Sequence, residues 1–326
     1  MSTQPIDFSV IIPTYNRPQQ LTACLRALVQ QTYPKERFEV IVVNDGGTPL
    51  TPVIEPFRER LGIALIEQAN AGPAQARNRG ATVARGNILA FTDDDCCPRA
   101  DWLRQLAGQH EKIPHALLGG QSINALSQNL YSAASQLIVD VAYQYFNPDP
   151  TRAQFFASNN MAFPRLDFLQ LGGFHPNFRT SEDREICDRW LRSQRTMAYV
   201  DSAQIDHAHP LTLSRFWRQH LSYGRGAFYY HRIRMQRGEA PFRPDFSFHR
   251  LLLVVPFKRF PVHQAIAIVV LMSLSQAASL VGYLQAQSSP PLSPEAMSNA
   301  PLPLSGAVEV EQCGNGTSVG QRFWPN

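Results

Sequence analysis

Asn87-Ile-Leu-Ala-Phe-Thr-Asp-Asp-Asp95 is the stretch on which the reading of this chain turns. Its first part is an apolar run of strand length, and three carboxylates follow without a break. Adjacent carboxylates repel one another, so the triplet wants a divalent cation or strong hydrogen-bond donors. Alternate residues on an extended strand point the same way, so Asp93 and Asp95 are expected to face one ligand together. Magnesium or manganese, bound by one or two carboxylates and by diphosphate oxygens, suits that arrangement. An acidic surface turn is the plainer alternative, and the buried strand in front of the triplet counts against it.

Working outward, the same grammar repeats. Phe8 to Ile12 is a β-branched run read as a first strand ended by Pro13. Gln19 to Gln31 has helical spacing, and Pro34 closes it. Phe38 to Val43 is a second buried strand, ending at Asn44-Asp45-Gly46-Gly47. Pro52 to Leu61 reads as helix, Ile63 to Ile66 as a third strand, and Ala74 to Arg85 as the helix before the fourth. Strands apolar throughout, alternating with helices across short links, predict an α/β fold with a mostly parallel central sheet covered on both faces. Ligands of such sheets bind beyond the carboxyl ends of the strands, where the polar clusters fall. Further on, Trp102 to Lys112, Glu182 to Ser193 and Ser214 to Arg237 read as helices. Ala116 to Ser122, Phe155 to Phe163 and Met197 to Asp201 read as strand.

The chain has 326 residues, 44% of them hydrophobic, which supports a substantial core and excludes wholesale disorder. A net charge of +4 is mild, but the cations crowd one stretch from Arg215 to Arg259, with only Glu239 and Asp245 against them. That stretch is either a solvated face or a surface for anionic lipid head groups, since Ala265 to Leu284 follows as about twenty mostly apolar residues. Those twenty read as a membrane span, an interfacial helix or a helix packed on soluble protein. From Ser288 the composition turns to Pro, Ser and Gly and predicts disorder. Five cysteines, two of them neighbours, make a poor disulfide framework and fit a reducing cytosol. Met1 to Asp7 lacks the signature of a signal peptide. The expected organisation is a catalytic domain over 1–212, a basic, aromatic-rich helical extension over 213–262, an apolar helix over 263–286 and a disordered tail over 287–326. The expected location is the cytoplasm, at the cytoplasmic face of the membrane.

Other clusters carry chemistry less sharply. Asp45 can accept a hydrogen bond from a ribose or a base edge, although Asn-Asp-Gly-Gly is good turn chemistry in any fold. Arg77 and Asn78, one turn into a helix after Gly72, can hold a base or a phosphate oxygen, or Arg77 can be an ordinary surface arginine. Thr180 and Asp183 have capping-box spacing. Asp183 is therefore a helix cap or, kept ionised by the helix dipole, a base for an acceptor hydroxyl. Asp206-His-Ala-His209 offers imidazoles that can complete a metal site begun by Asp95.

Taken in order, these pieces resemble glycosyltransferase family 2, the inverting enzymes of the GT-A nucleotide-diphospho-sugar transferase fold. The matching segments are Ser9-Val-Ile-Ile-Pro-Thr-Tyr-Asn-Arg17, Val42-Val-Asn-Asp-Gly46, Gly72-Pro-Ala-Gln-Ala-Arg-Asn-Arg-Gly80 and Phe91-Thr-Asp-Asp-Asp95. Gly172-Gly-Phe174, Glu182-Asp183, His207 and Tyr223-Gly-Arg-Gly226 follow, so the resemblance covers about residues 8 to 226. Each motif is weak alone; their joint order is specific. The resemblance implies that Pro13, Thr14, Tyr15 and Asp45 hold the nucleoside, with Arg17 at its edge and Arg77 nearby. It implies that Asp93, Asp94 and Asp95 form the donor motif, with Asp95 a metal ligand and His207 a further metal or diphosphate contact. It makes Asp183 the base that deprotonates the acceptor, and Mn2+ or Mg2+ the cofactor. The implied partners are a nucleotide-sugar donor (a UDP-sugar first), a sugar or lipid-linked acceptor and a membrane surface, with no nucleic acid. Arg17 and Gly47 depart from common family residues without removing a catalytic group. No Gln-x-x-Arg-Trp signature of processive synthases is present, which favours single transfers.

Two other readings fit the residues less well. A sugar-phosphate nucleotidyltransferase would carry a glycine-rich basic loop after the first strand, and Pro13-Thr-Tyr-Asn-Arg17 is not one. A catalytically silent, membrane-associated binding protein with the same fold has no need of Asp95, Asp183 and His207 together.

Overall fold

A computed structural model describes residues 5–239, 246–288 and 302. The predicted tail, 287–326, lies almost entirely outside the described residues. Of that range, Gln287 ends a helix, Ser288 follows it, and Leu302 donates its backbone N–H to Leu169 O at 3.0 Å.

The first half is built as the alternation predicts. Strand β1 (Phe8–Thr14) leads to helix α1 (Pro18–Val29), β2 (Phe38–Asp45), the single turn α2 (Thr51–Ile54), β3 (Ile63–Gln68), α3 (Pro73–Val83) and β4 (Ile88–Thr92). Pro13 does not end β1: its position in the parallel register opposite Val43 is kept and the strand runs on to Thr14. The helix expected over Pro52 to Leu61 is only α2 and a 3-10 turn, Glu55–Phe57, because Pro56 cannot supply a helical N–H.

Next come β5 (Cys96–Pro98), α4 (Trp102–Lys112), β6 (Leu117–Asn124), α5 (Leu130–Phe146), β7 (Asn160–Pro164), α6 (Arg165–Leu171), α7 (Glu182–Arg192) and β8 (Met197–His207). The strand expected over Phe155 to Phe163 is shorter and begins only at Asn160. Helix α5 falls in a stretch with no sequence prediction; Asn129 caps it by accepting from the Ser132 N–H. All eight strands form one sheet in the order β3-β2-β1-β4-β7-β6-β8-β5. Strands β7 and β5 run against the other six, so the carboxyl ends of β1, β2, β4, β6 and β8 open on one edge.

Period-two alternation divides the core. Val10, Ile12, Val40 and Val42 face α1 and α4, packing with Leu21, Leu25, Trp102 and Leu106. Ile11, Val43, Leu89 and Phe91 face the other way, onto Ala76, Phe168, Phe174 and Trp190. Burying both faces is what the uninterrupted apolar strands require.

The chain then leaves the sheet for α8 (Leu213–Gln236), α9 (Phe246–Arg259) and α10 (Val262–Gln287). A third apolar cluster ties them to α5 through Leu137, Val141, Phe216, Leu252, Val255, Ile268 and Met272. Helices α8 and α10 meet at glycines. A Cβ added at Gly224 would lie 1.9 Å from Ser279 O, and one at Gly282 would lie 1.9 Å from Leu221 O. The four described cysteines, Cys24, Cys96, Cys97 and Cys187, are free thiols.

Candidate active site

Every residue that the resemblance assigns to the site lines a single cavity of about 1620 Å³ at the carboxyl edge of the sheet. The parallel strands deliver the acidic end: Pro13 and Thr14 close β1, Asp45 closes β2, and the acidic triplet follows β4.

The triplet is a turn and not the extended strand expected, with Cys96 N–H bonded to Asp93 O at 3.1 Å. Its carboxylates therefore separate onto different partners. Asp93 Oδ1 accepts from Arg77 Nη2 at 2.6 Å. Asp94 accepts from Thr14 Oγ1 at 2.7 Å and from Arg17 Nη1 at 3.2 Å. Asp95 Oδ2 accepts from the same Arg17 nitrogen at 2.9 Å. Two arginines thus supply the positive charge that three neighbouring carboxylates demand. Burial pushes the Asp94 carboxyl up to about 6, against the pull of Arg17. Burial also opposes ionisation of Asp95, but the His207 hydrogen bond and the nearby cationic groups outweigh it and hold that carboxyl at about 2.

Histidine reaches the triplet through strand pairing. Strand β5 runs antiparallel to the end of β8 with Cys96 opposite His207, and Ala208 N–H donates to Asp95 O at 2.8 Å. His207 Nε2 then lies 3.4 Å from Asp95 Oδ1. Ligand atoms of Asp95, His207 and His209 all fall within 4.8 Å of one another. One carboxylate with two imidazoles is a donor set that suits manganese better than magnesium, which prefers oxygen. Burial disfavours the His207 imidazolium, yet Asp95 raises its pKa overall; burial and His207 together push His209 down to about 4.

Two sequence readings change. Asp45 does not wait for a ribose alone. Its Oδ1 accepts from Gln68 Nε2 and the Ala71 N–H, and its Oδ2 from the Gly72 N–H at 2.8 Å, holding the loop before α3. Acceptor capacity remains on Oδ2. Arg77 is neither a surface residue nor a free phosphate ligand. It is 2% exposed and bridges Asp93 to Glu182, with Nη1 donating to Glu182 Oε1 at 3.0 Å. Asn78 is likewise spent, bonding both backbone polar groups of Phe174.

The predicted capping box is absent. Ser181, in the left-handed region at φ 67°, is the N-cap of α7, and Thr180 Oγ1 donates instead to Ser222 O on α8. Asp183 is half-buried in the cavity wall. Burial and then the charge of Glu182 raise its carboxyl to about 7, only partly offset by Arg184, so the helix dipole does not decide its ionisation. Glu182, only 7% exposed and bound to Arg77, is a cavity residue that the sequence reading left out of the site. Its adjacency to Asp183 in the motif was the available signal.

With this geometry established, comparison places the chain among known proteins. The family model described as Glycosyl transferase family group 2 matches residues 88–287, and that of Glycosyl transferase family 2 matches residues 9–165. The chain belongs to glycosyltransferase family 2, a family of transferases. It is 43% identical over 108 residues to glycosyltransferase AglE of Haloferax volcanii, a match covering 32% of this chain and 35% of that one. The chain thus spans about a third of that relative's length. Its fold is similar to that of a mannosyltransferase from Pyrobaculum calidifontis in complex with GDP-Man and Mn2+ (TM-score 0.64, 17% identity, 88% of each chain). It is also similar to TarS residues 1–349 of Staphylococcus aureus in complex with UDP-GlcNAc (TM-score 0.51, 16% identity, 86% of this chain and 90% of that one).

Proposed function

We propose that the chain transfers a sugar from a nucleotide-diphosphate sugar to an acceptor hydroxyl, with inversion at the anomeric carbon and the help of a divalent cation. The observation that carries this reading is the placement of Asp95, His207 and His209 in the same cavity as Asp183. Thr14, Tyr15 and Asp45 border the nucleoside end. Asp95, His207 and His209 are the ligand set for Mn2+, or less aptly Mg2+, which when bound offsets charge on the departing diphosphate. Arg17, half-exposed beside that set, is a second cation within reach of phosphate oxygens. Asp183 takes the acceptor proton. A carboxyl at about 7 is well matched to that task, because a base poised near working pH combines availability with strength. Glu182 and Arg77 hold the α7 end against Asp93, fixing the base relative to the donor motif. The similar folds have GDP-Man and UDP-GlcNAc bound, so a UDP- or GDP-sugar is the donor class to test.

The proposed location is a membrane surface. Helix α10 has 26 residues, its most apolar 18-residue stretch has a mean hydropathy of 2.0, and only 33% of that stretch is buried. Its outer row, Val262, Ile266, Val270, Leu280 and Leu284, is exposed and recurs at helical spacing. Its inner face packs along α8, whose exposed surface carries Arg215, Arg218 and Arg225. A helix bound lengthwise to an arginine-rich neighbour fits an interfacial position rather than a span.

Thermal-shift binding of nucleoside diphosphates, with and without Mn2+, tests the donor reading. A ligand of the folded state raises Tm by mass action. One nucleotide raising Tm only with metal, and not in Asp95→Ala, is the expected result; no shift with any nucleotide rejects the reading.

A further inference from the structure

The cavity does not stop at Asp183. It continues past Tyr223 into a chamber between α5, α8, α9 and α10, walled by Ile138, Phe146, Tyr230, Phe248 and Tyr283. Its aromatic walls are braced: Phe248 meets Tyr145 and Phe146 with ring centroids 5.6 and 6.3 Å apart, and Tyr283 meets Phe228 at 5.3 Å. A sugar donor needs none of this volume, since the groups that suit a nucleotide and metal all lie at the strand ends. Leu280 lines the chamber and is yet 59% exposed, so it marks where the chamber opens. Beside that mouth Val281 and Leu284 continue the exposed apolar row of α10. On the passage between Asp183 and the chamber sits Arg184. Its guanidinium lies 6.0 Å from the Phe155 ring and within 4 Å of no carboxylate among the described residues.

We propose that the acceptor is an amphipathic lipid, with a hydroxyl-bearing head presented to Asp183 and a hydrocarbon tail lodged between α5, α8, α9 and α10. This rests on the transferase reading above and narrows its acceptor class. The tail enters at Leu280 from the apolar side of the molecule, and the head travels inward to the base. Burying methylenes against aromatic walls supplies the affinity, while Arg184 offers a counter-charge to an anionic linker between tail and head. A water-soluble acceptor would leave the chamber wet and its aromatic walls exposed to solvent.

The test needs no knowledge of the head group. Dodecyl β-glucoside, below its critical micelle concentration, and methyl β-glucoside are titrated into the full chain with tryptophan fluorescence as readout. Donor hydrolysis without acceptor is followed in parallel. At least a 10-fold tighter binding of the dodecyl compound is expected, lost in Leu280→Glu at the mouth and kept in Val270→Glu on the outer row of α10. Donor hydrolysis is expected to be unchanged in Val270→Glu, and both variants are expected to keep the Tm of the wild type. Equal affinity for the two glucosides overturns the proposal, as does loss of dodecyl binding in Val270→Glu with retention in Leu280→Glu. Absence of donor hydrolysis in the wild type, with chain-length preference intact, would count against the transferase reading and leave the tail site standing.

Discussion

Arg17 Nη1 lies 2.9 Å from Asp95 Oδ2 while also reaching Asp94 Oδ1 at 3.2 Å, so one guanidinium nitrogen serves two carboxylates of the acidic triplet. In the proposed reaction Asp95 is a metal ligand, and a cation arriving there meets a positive charge already in place. Arg17→Gln is expected to tighten binding of Mn2+ alone by about 2- to 5-fold, the scale of a half-exposed ion pair. The same substitution should weaken nucleoside diphosphate binding, because the diphosphate then has no guanidinium to pair with. Electron paramagnetic resonance of free Mn2+ measures the first effect. Unchanged or weaker metal binding would mean that Arg17 does not compete.

Asp183 sets an expected pH dependence. Burial beside Glu182 holds its folded carboxyl at about 7, above the ordinary aspartate range. A base must be ionised, so acceptor transfer should rise with pH through about 7 and level off above it. Asp183→Asn should lower transfer by about 100- to 10,000-fold, the usual worth of a positioned base, with nucleotide binding kept. The stability sign is opposite: a raised acid costs stability as it ionises, a cost absent at low pH and complete above about 7. The Asn variant should therefore gain Tm relative to wild type as pH rises from 4 to 8. A flat wild-type rate profile would remove Asp183 as the base.

His207 gives a second pH dependence with its own sign. Its folded pKa is raised by Asp95 despite burial. The pair therefore stabilises the metal-free fold below the ordinary histidine range, and that contribution is lost as pH rises through the folded pKa. A metal must displace the same proton, so Mn2+ affinity should increase with pH, with proton release on binding. His207→Ala should abolish both the release and most of the affinity. Calorimetry in two buffers of different ionisation enthalpy counts the protons.

The donor half of the site was legible because its residues follow strands whose apolar runs announce themselves. Thr14, Asp45 and Asp95 stand at the ends of β1, β2 and just beyond β4 as patterning predicts. The partners of those groups were not legible. Arg77 reaches Glu182 across 105 residues, and no local signal tells a buried bridging arginine from an exposed one. Strand β5 is three residues long, too short for periodicity, yet its pairing with β8 is what brings His207 to Asp95. The Thr180 reading failed because capping competes with tertiary contact, and the hydroxyl is taken by Ser222 O of α8. Helix α5 is not legible in the sequence because its apolar residues face both the third core cluster and the chamber, which blurs the stripe that marks an amphipathic helix.

Arg77 supports a prediction about stability more than chemistry. Its guanidinium is nearly fully buried between Asp93 and Glu182 and stacks 5.5 Å from the Phe174 ring centroid. Arg77→Met keeps the stem but leaves Glu182 as a buried carboxylate without its cation. Removing one partner of such a pair costs about 3–5 kcal/mol. Denaturant unfolding should show that loss, and Glu182→Gln in the same chain should restore part of it. Additive losses would mean that the two residues do not act as a pair.

The joint between α8 and α10 links the catalytic body to the chamber, and glycine makes it. With backbone carbonyls of Leu221 and Ser279 where side chains at Gly282 and Gly224 would stand, neither helix can yield without separating from the other. Gly282→Ala is expected to destabilise by about 1–3 kcal/mol, the range for forcing an extra carbon into packed structure. Two of the three proposed metal ligands are held by the sheet, since Asp95 follows β4 and His207 ends β8, so the strain should not reach them. The variant should therefore bind Mn2+ and nucleotide as the wild type does while losing its preference for long-chain glucosides, because a splayed α10 opens the chamber to water. Parallel loss of nucleotide binding would show instead that α10 braces the whole site, and that donor and acceptor ends fold as one unit.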